Sequence, residues 1–104
     1  MTTDLISRYF ELATSPDRER WFALFADDVV VEDDGRTHRG IDEVRAWRTE
    51  VPSVTYDVTD VSTQNGYHVA TADIAGDFPG SPIPLRFHFI AVEDGLIRHL
   101  AIRP

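Results

Sequence analysis

Residues 29–40 read VVVEDDGRTHRG, three valines running straight into Glu32, Asp33 and Asp34, followed by a turn signal and a basic patch. In a strand, alternate residues share a face, so Val29, Val31 and Asp33 line one side and Val30, Glu32 and Asp34 the other. Two readings follow. Either the strand surfaces and Asp33 begins the turn with Asp34 and Gly35, or Asp33 continues the inward row at the mouth of an apolar interior. In the second case a desolvated carboxylate is suited to general-base work.

Upstream, DLISRYFELA (residues 4–13) repeats apolar residues at helical spacing, with Leu5, Ile6, Tyr9, Phe10, Leu12 and Ala13 on one broad face. Ser15 is expected to cap a second helix, with Pro16 in its first turn and Asp17 at its positive end. That helix is expected to run to about Phe25, carrying Trp21, Phe22, Leu24 and Phe25 inward, with the strand starting near Asp28. Downstream, Gly35 supplies a positive φ for the turn. Gly40 and Asp42 then open a third helix with Ile41, Val44 and Trp47 on one side.

After Pro52 the period changes from helical to alternating. SVTYDVTDVST, the hairpin signal Asn65–Gly66 and YHVATADIAGD predict one hairpin, and LRFHFIAV, EDG and LIRHLAI a second. Helices followed by a curved antiparallel sheet give an α+β class. With 104 residues and no repeat or linker, the chain reads as a single domain spanning 1–104. In the second hairpin, alternation puts Leu85, Phe87, Phe89 and Ala91 on one face and Arg86, His88, Ile90 and Val92 on the other. Both faces are then largely apolar, which predicts a homodimer through the outer sheet face. A three-residue loop at Glu93–Asp94–Gly95 sets His88 across from Leu100, beside Ile90, Val92 and Ile102; a two-residue Asp94–Gly95 turn sets it diagonal to His99. On the residues alone both registers stay open.

Composition narrows the function. A formal net charge of −8 argues against nucleic acid and against an anionic membrane surface. The absence of cysteine removes thiolate chemistry and disulfides. Asp4 and Arg8 interrupt the apolar segment a signal peptide would need, and no run is long enough to span a membrane, so a cytoplasmic protein is expected. No metal-ligand spacing, phosphate loop or nucleophile elbow occurs, and no cofactor is expected. The expected partner is a small apolar or aromatic molecule.

The element order, together with LFADDVVVEDDGRTHRGIDEVRAW (residues 24–47) and FIAVEDGLIRHLAI (residues 89–102), resembles the nuclear transport factor 2-like superfamily, in its SnoaL-like polyketide cyclase branch. It is similar, more distantly, to ketosteroid isomerase. The resemblance covers nearly the whole chain and favours the first of the two registers for the last hairpin. It implies a cone-shaped curved sheet wrapped around three helices and enclosing a pocket. It also implies catalytic positions: Asp33 as the general base, Tyr9 in SRYFEL as an oxyanion donor, and His88 where the isomerase has a protonated aspartic acid. The logic of tuning such carboxyl groups by burial is a known example in ketosteroid isomerase itself. Trp21, Phe25, Trp47, Ala72, Ile90 and Leu100 are the expected pocket wall. The implied chemistry is cofactor-free isomerisation, cyclisation or dehydration; a non-catalytic carrier or dimerisation module is the alternative. Each residue also has a plain structural reading, Tyr9 as a buried ring with a satisfied hydroxyl and His88 as a surface or hydrogen-bonded residue. His38 is expected to be exposed. His68 alternates with Ala70, Ala72 and Ile74; if these face inward, the small alanines would leave room for a ligand.

Overall fold

The computed structural model describes residues 2–51 and 53–104. Pro52, read as the break before the hairpins, lies outside the described residues. The first helix, α1 (Thr2–Ala13), lays Leu5, Ile6, Tyr9, Phe10 and Leu12 into the core, as their spacing requires. A tight turn closes it, with the Ser15 amide donating to Leu12 O. The second helix, α2 (Arg18–Phe22), is one and a half turns long. It is shorter at both ends than the sequence suggested. Asp17, not Ser15, occupies the N-cap, and the Ser15 hydroxyl instead accepts from the Asp17 amide. Leu24 then accepts a 2.8 Å hydrogen bond from the Ile97 amide, which draws the chain into the sheet at Phe25.

The strand carrying the acidic stretch, β1 (Phe25–Asp33), therefore begins three residues before Asp28. It turns at Asp34–Gly35 into a short strand, β2 (Arg36–Arg39). Gly40 has φ +82°, a conformation that costs glycine little, and it switches the chain at once into α3 (Gly40–Glu50). Glu43 reaches back to accept from the Arg39 amide at 2.8 Å, fixing the start of that helix. Four strands follow, with β3 (Val54–Gln64) and β4 (Tyr67–Gly76) as one hairpin, β5 (Ile83–Glu93) and β6 (Leu96–Arg103) as the other.

The six strands form one curved, unclosed sheet in the order β2-β1-β6-β5-β4-β3, and with three helices the class is α+β. All pairs are antiparallel except β1 with β6. That parallel contact joins the N-terminal half to the end of the chain, a pairing that local patterns do not encode. The inner face carries Val29, Val31, Phe87, Phe89 and Leu100 against α1 and α3.

The last hairpin departs from the preferred register. Glu93 pairs with Leu96, so Asp94 and Gly95 alone form the turn, both with positive φ, as at Asp34–Gly35 and Asn65–Gly66. His88 consequently pairs with Ala101, on the outer face, diagonal to His99. The pairing is irregular on both sides of Ala91, and Ile90 has no partner. This bulge flips the alternation: Ala91 pairs with His99 on the outer face, while Val92 packs against the core. The single row of His88, Ile90 and Val92 expected from strict alternation is broken there. No helix among the described residues is long and apolar enough to cross a membrane.

Candidate active site

The inward row of β1 continues to its end. Asp33 pairs with Arg36 of β2 and Ile102 of β6, and it faces the helices. The Trp47 indole Nε1 donates to Asp33 Oδ2 at 3.1 Å, leaving the other carboxylate oxygen without a bond to the protein among the described residues. Trp47 is held from behind by His38, whose ring stacks on it at 5.5 Å with planes 27° apart. His38 is thus half-buried rather than exposed, and its Nε2 is buried with no partner among the described residues. The three acids of the opening stretch have three fates. Glu32 turns outward to hydrogen-bond His99, Asp33 turns inward, and Asp34 takes the left-handed turn position.

Tyr9 projects from α1 into the same space and is 1% exposed. Its ring lies edge-on to Phe10, Phe25 and Phe89, at 5.0, 6.1 and 5.4 Å. Burial, reinforced by the neighbouring Tyr56, pushes its phenol well above the ordinary range; Arg48 works against this and Asp33 adds to it. Tyr9 is therefore a protonated hydrogen-bond donor at any physiological pH.

Asp33 and Tyr9 line one cavity of about 220 Å³, together with Trp47, Arg48, Tyr56 and Phe87 and with several aliphatic side chains. Arg48 lies on α3 beside Trp47. Its guanidinium donates to Tyr56 Oη at 3.1 Å and to Ala13 O at 2.8 Å, and it sits 4.5 Å over the Trp21 ring. Because Tyr56 accepts from Arg48, its own hydroxyl proton is free to be donated elsewhere.

Two of the three expected catalytic residues therefore meet, and the third does not. His88 lies on the opposite sheet face, where Nδ1 contacts Tyr67 Oη at 3.3 Å and Nε2 is buried without a partner among the described residues. Its neighbours Phe87 and Phe89 take the inward positions. Burial, then Arg103 and Arg86, lower the His88 pKa. Of the expected pocket wall, only Trp47 lines this cavity. Trp21 packs on Phe25 and Tyr9, at 4.7 and 5.6 Å, and lines a neighbouring chamber rather than this one, while Phe25 is buried in the core. Ala72 and Leu100 are fully buried in the core, and Ile90 is the bulge residue. His68 faces inward as Ala70 and Ala72 do, yet it bonds Thr63 Oγ1, and the space above the alanines is filled.

The sequence reading missed Arg48 and Tyr56. The signal was present: Val44, Trp47, Arg48 and Val51 stand at i, i+3, i+4 and i+7, which puts Arg48 on the inward face of α3.

A family model described as a SnoaL-like domain matches residues 6–100. Solved structures of the same fold include a candidate polyketide cyclase from Sinorhizobium meliloti, 29% identical, covering 96% of this chain and 94% of that one, with a TM-score of 0.87. A candidate ketosteroid isomerase from Kribbella flavida is 20% identical, with a TM-score of 0.83, over 99% of this chain and 77% of that one. A protein from Sphaerobacter thermophilus is 25% identical over 97% and 93% of the two chains, with a TM-score of 0.76. A search of curated proteins gives no match.

Proposed function

This chain belongs to the SnoaL-like domain family, and from that premise we propose that its cavity performs cofactor-free acid–base chemistry on a small enolisable carbonyl compound. The observation that carries the reading is the meeting of Asp33 and Tyr9 in one apolar cavity. Asp33 takes the proton α to the carbonyl through the oxygen that Trp47 leaves free. Tyr9, kept protonated by its burial, donates to the oxygen on which enolate charge develops. Tyr56, turned by Arg48, supplies the second donor in place of His88. Return of the proton at another carbon is an isomerisation; loss of a β-hydroxyl or attack on a second carbonyl gives dehydration or cyclisation from the same enolate.

The test is α-proton exchange of 2-tetralone in D2O, followed by NMR. The wild type is expected to accelerate exchange, and Asp33→Asn to lose about 10²-fold or more of the acceleration with the fold intact. Equal exchange with both proteins removes Asp33 from the mechanism. The rival, a binding site without turnover, is favoured by the outward placement of His88, which leaves Asp33 without the third expected catalytic group in the cavity. Saturable tetralone binding with no exchange would select it.

Association of two copies through the outer sheet face belongs to the same proposal. It is supported by the partly exposed apolar residues Val30 and Ala91 on that face, paired to either side of His99. Sedimentation velocity over a wide concentration range tests it, and a monomer throughout overturns it.

A further inference from the structure

Beside the apolar cavity lies a second chamber of about 260 Å³, at the turn between α1 and α2. The two meet at Arg48, Val51 and Val54, which line both. Their characters are opposite. The first is apolar around Asp33; the second is lined by Arg18, Arg48 and the hydroxyl-bearing Thr14, Ser15 and Ser53, with no carboxylate among its lining residues. That is unexpected in a chain with 18 acidic and 10 basic residues.

Arg48 is the hinge between them. It is half-buried, and none of the salt bridges among the described residues involves it. Its bonds to Tyr56 Oη and Ala13 O use two of five guanidinium N–H groups. A half-buried cation with free donors between two chambers is expensive to leave uncompensated, and an anion there would be held by charge-assisted bonds. Each chamber alone falls below the roughly 300 Å³ at which ligand pockets begin, and the pair together falls within that range.

Resting on the acid–base reading above, we propose that the two chambers hold one molecule, a small aromatic or alicyclic carboxylate. Its ring fills the apolar cavity against Asp33 and Tyr9, and its carboxylate lies on Arg48 in the polar chamber. A monoanion suits the site because Arg48 is its one half-buried cation and Arg18 is exposed. The same arrangement fixes which carbon of the ring faces Asp33, so Arg48 determines specificity.

The experiment is calorimetric titration with 1-naphthylacetate and with its uncharged amide. The acid is expected to bind at least about tenfold tighter than the amide, as one charge-assisted hydrogen-bonded pair implies. Arg48→Gln is expected to abolish that preference and Arg48→Lys to retain part of it. Equal affinity for acid and amide, a preference that survives in Arg48→Gln, or no binding of the acid overturns the proposal. Arg48 also holds the end of α1 through Ala13 O, so R48Q could fail to fold. In that event the Arg48 Nε–H resonance of the wild type decides: it is expected to move on titration with the acid and to stay fixed with the amide. Asp33→Asn separates this inference from the catalytic one. If tetralone exchange is absent in the wild type while acid preference persists in both proteins, the chemistry falls and the carboxylate site stands; exchange without acid preference gives the converse.

Discussion

Two strand segments of similar composition place their polar residues oppositely. In β1 the alternation runs unbroken from Val29 to Asp33, and the carboxylate ends inward, bonded to Trp47. In β5 the sequence Phe87–His88–Phe89 alternates just as cleanly, yet the histidine faces away from the helices. The difference lies beyond each residue rather than at it. Asp33 is fixed by the valines before it and by a pairing continuous to the end of the strand. His88 is fixed by a turn and a bulge several residues away, which together decide which neighbour meets Ala101. Facing can be read from a strand when the core residues that anchor it are in the same uninterrupted run, and not when register is set across a bulge.

The sharpest way to break this comparison is to neutralise both groups. Asp33→Asn is expected to lower tetralone exchange about 10²-fold or more, while His88→Gln leaves it unchanged. A loss of similar size in H88Q would mean that the outer face reaches the chemistry after all. Tyr9→Phe comes next, with an expected loss of about tenfold to a hundredfold in the exchange rate, since it removes one donor to the developing oxyanion. Its stability should change little, because the ring contacts that bury Tyr9 survive. Trp47→Phe is smaller again. It keeps the inward ring but releases Asp33 Oδ2, and thermal unfolding should register a loss of about 1 kcal/mol. A loss several times larger would show that Trp47 acts mainly by packing, and that the inward row is held by α3 rather than by β1.

The class, the three helices and both hairpins were legible in the sequence because each rests on local chemistry: helical spacing, alternation, and turns with residues that tolerate positive φ. The alternation put Asp33 in one row with Val29 and Val31 but left open whether the strand had already surfaced there. The two-residue turn at Asp94–Gly95 was written there as plainly as the one at Asn65–Gly66; preference for a longer loop misplaced His88. The cavity was less legible for a different reason. Trp21, Phe25 and Trp47 are all large and all inward, and only three-dimensional packing decides that Trp47 lines the cavity with Asp33, Trp21 the neighbouring chamber and Phe25 neither. Arg48 was overlooked because an arginine on an apolar helical face reads as a snorkelling surface residue until the carbonyl and the ring it meets are known.

The smallest expected effect tests the outer half of the comparison on its own terms. Burial and the nearby Arg103 and Arg86 lower the His88 pKa in the folded chain, whereas in the unfolded chain it titrates near its ordinary 6.5. The unfolded state then binds the proton first. The stability associated with neutral His88 is complete above about pH 6.5 and is lost as the pH falls through the lowered folded value. The wild-type slope alone sums contributions from every titratable group. The difference between wild type and His88→Gln isolates the term, because the other three histidines are common to both. Chemical denaturation at several pH values is expected to give a curve for H88Q that falls less steeply on the acid side. Parallel curves would mean that protonated His88 is accommodated on the outer face at no cost, with its Nε2 reaching water or a second copy of the chain.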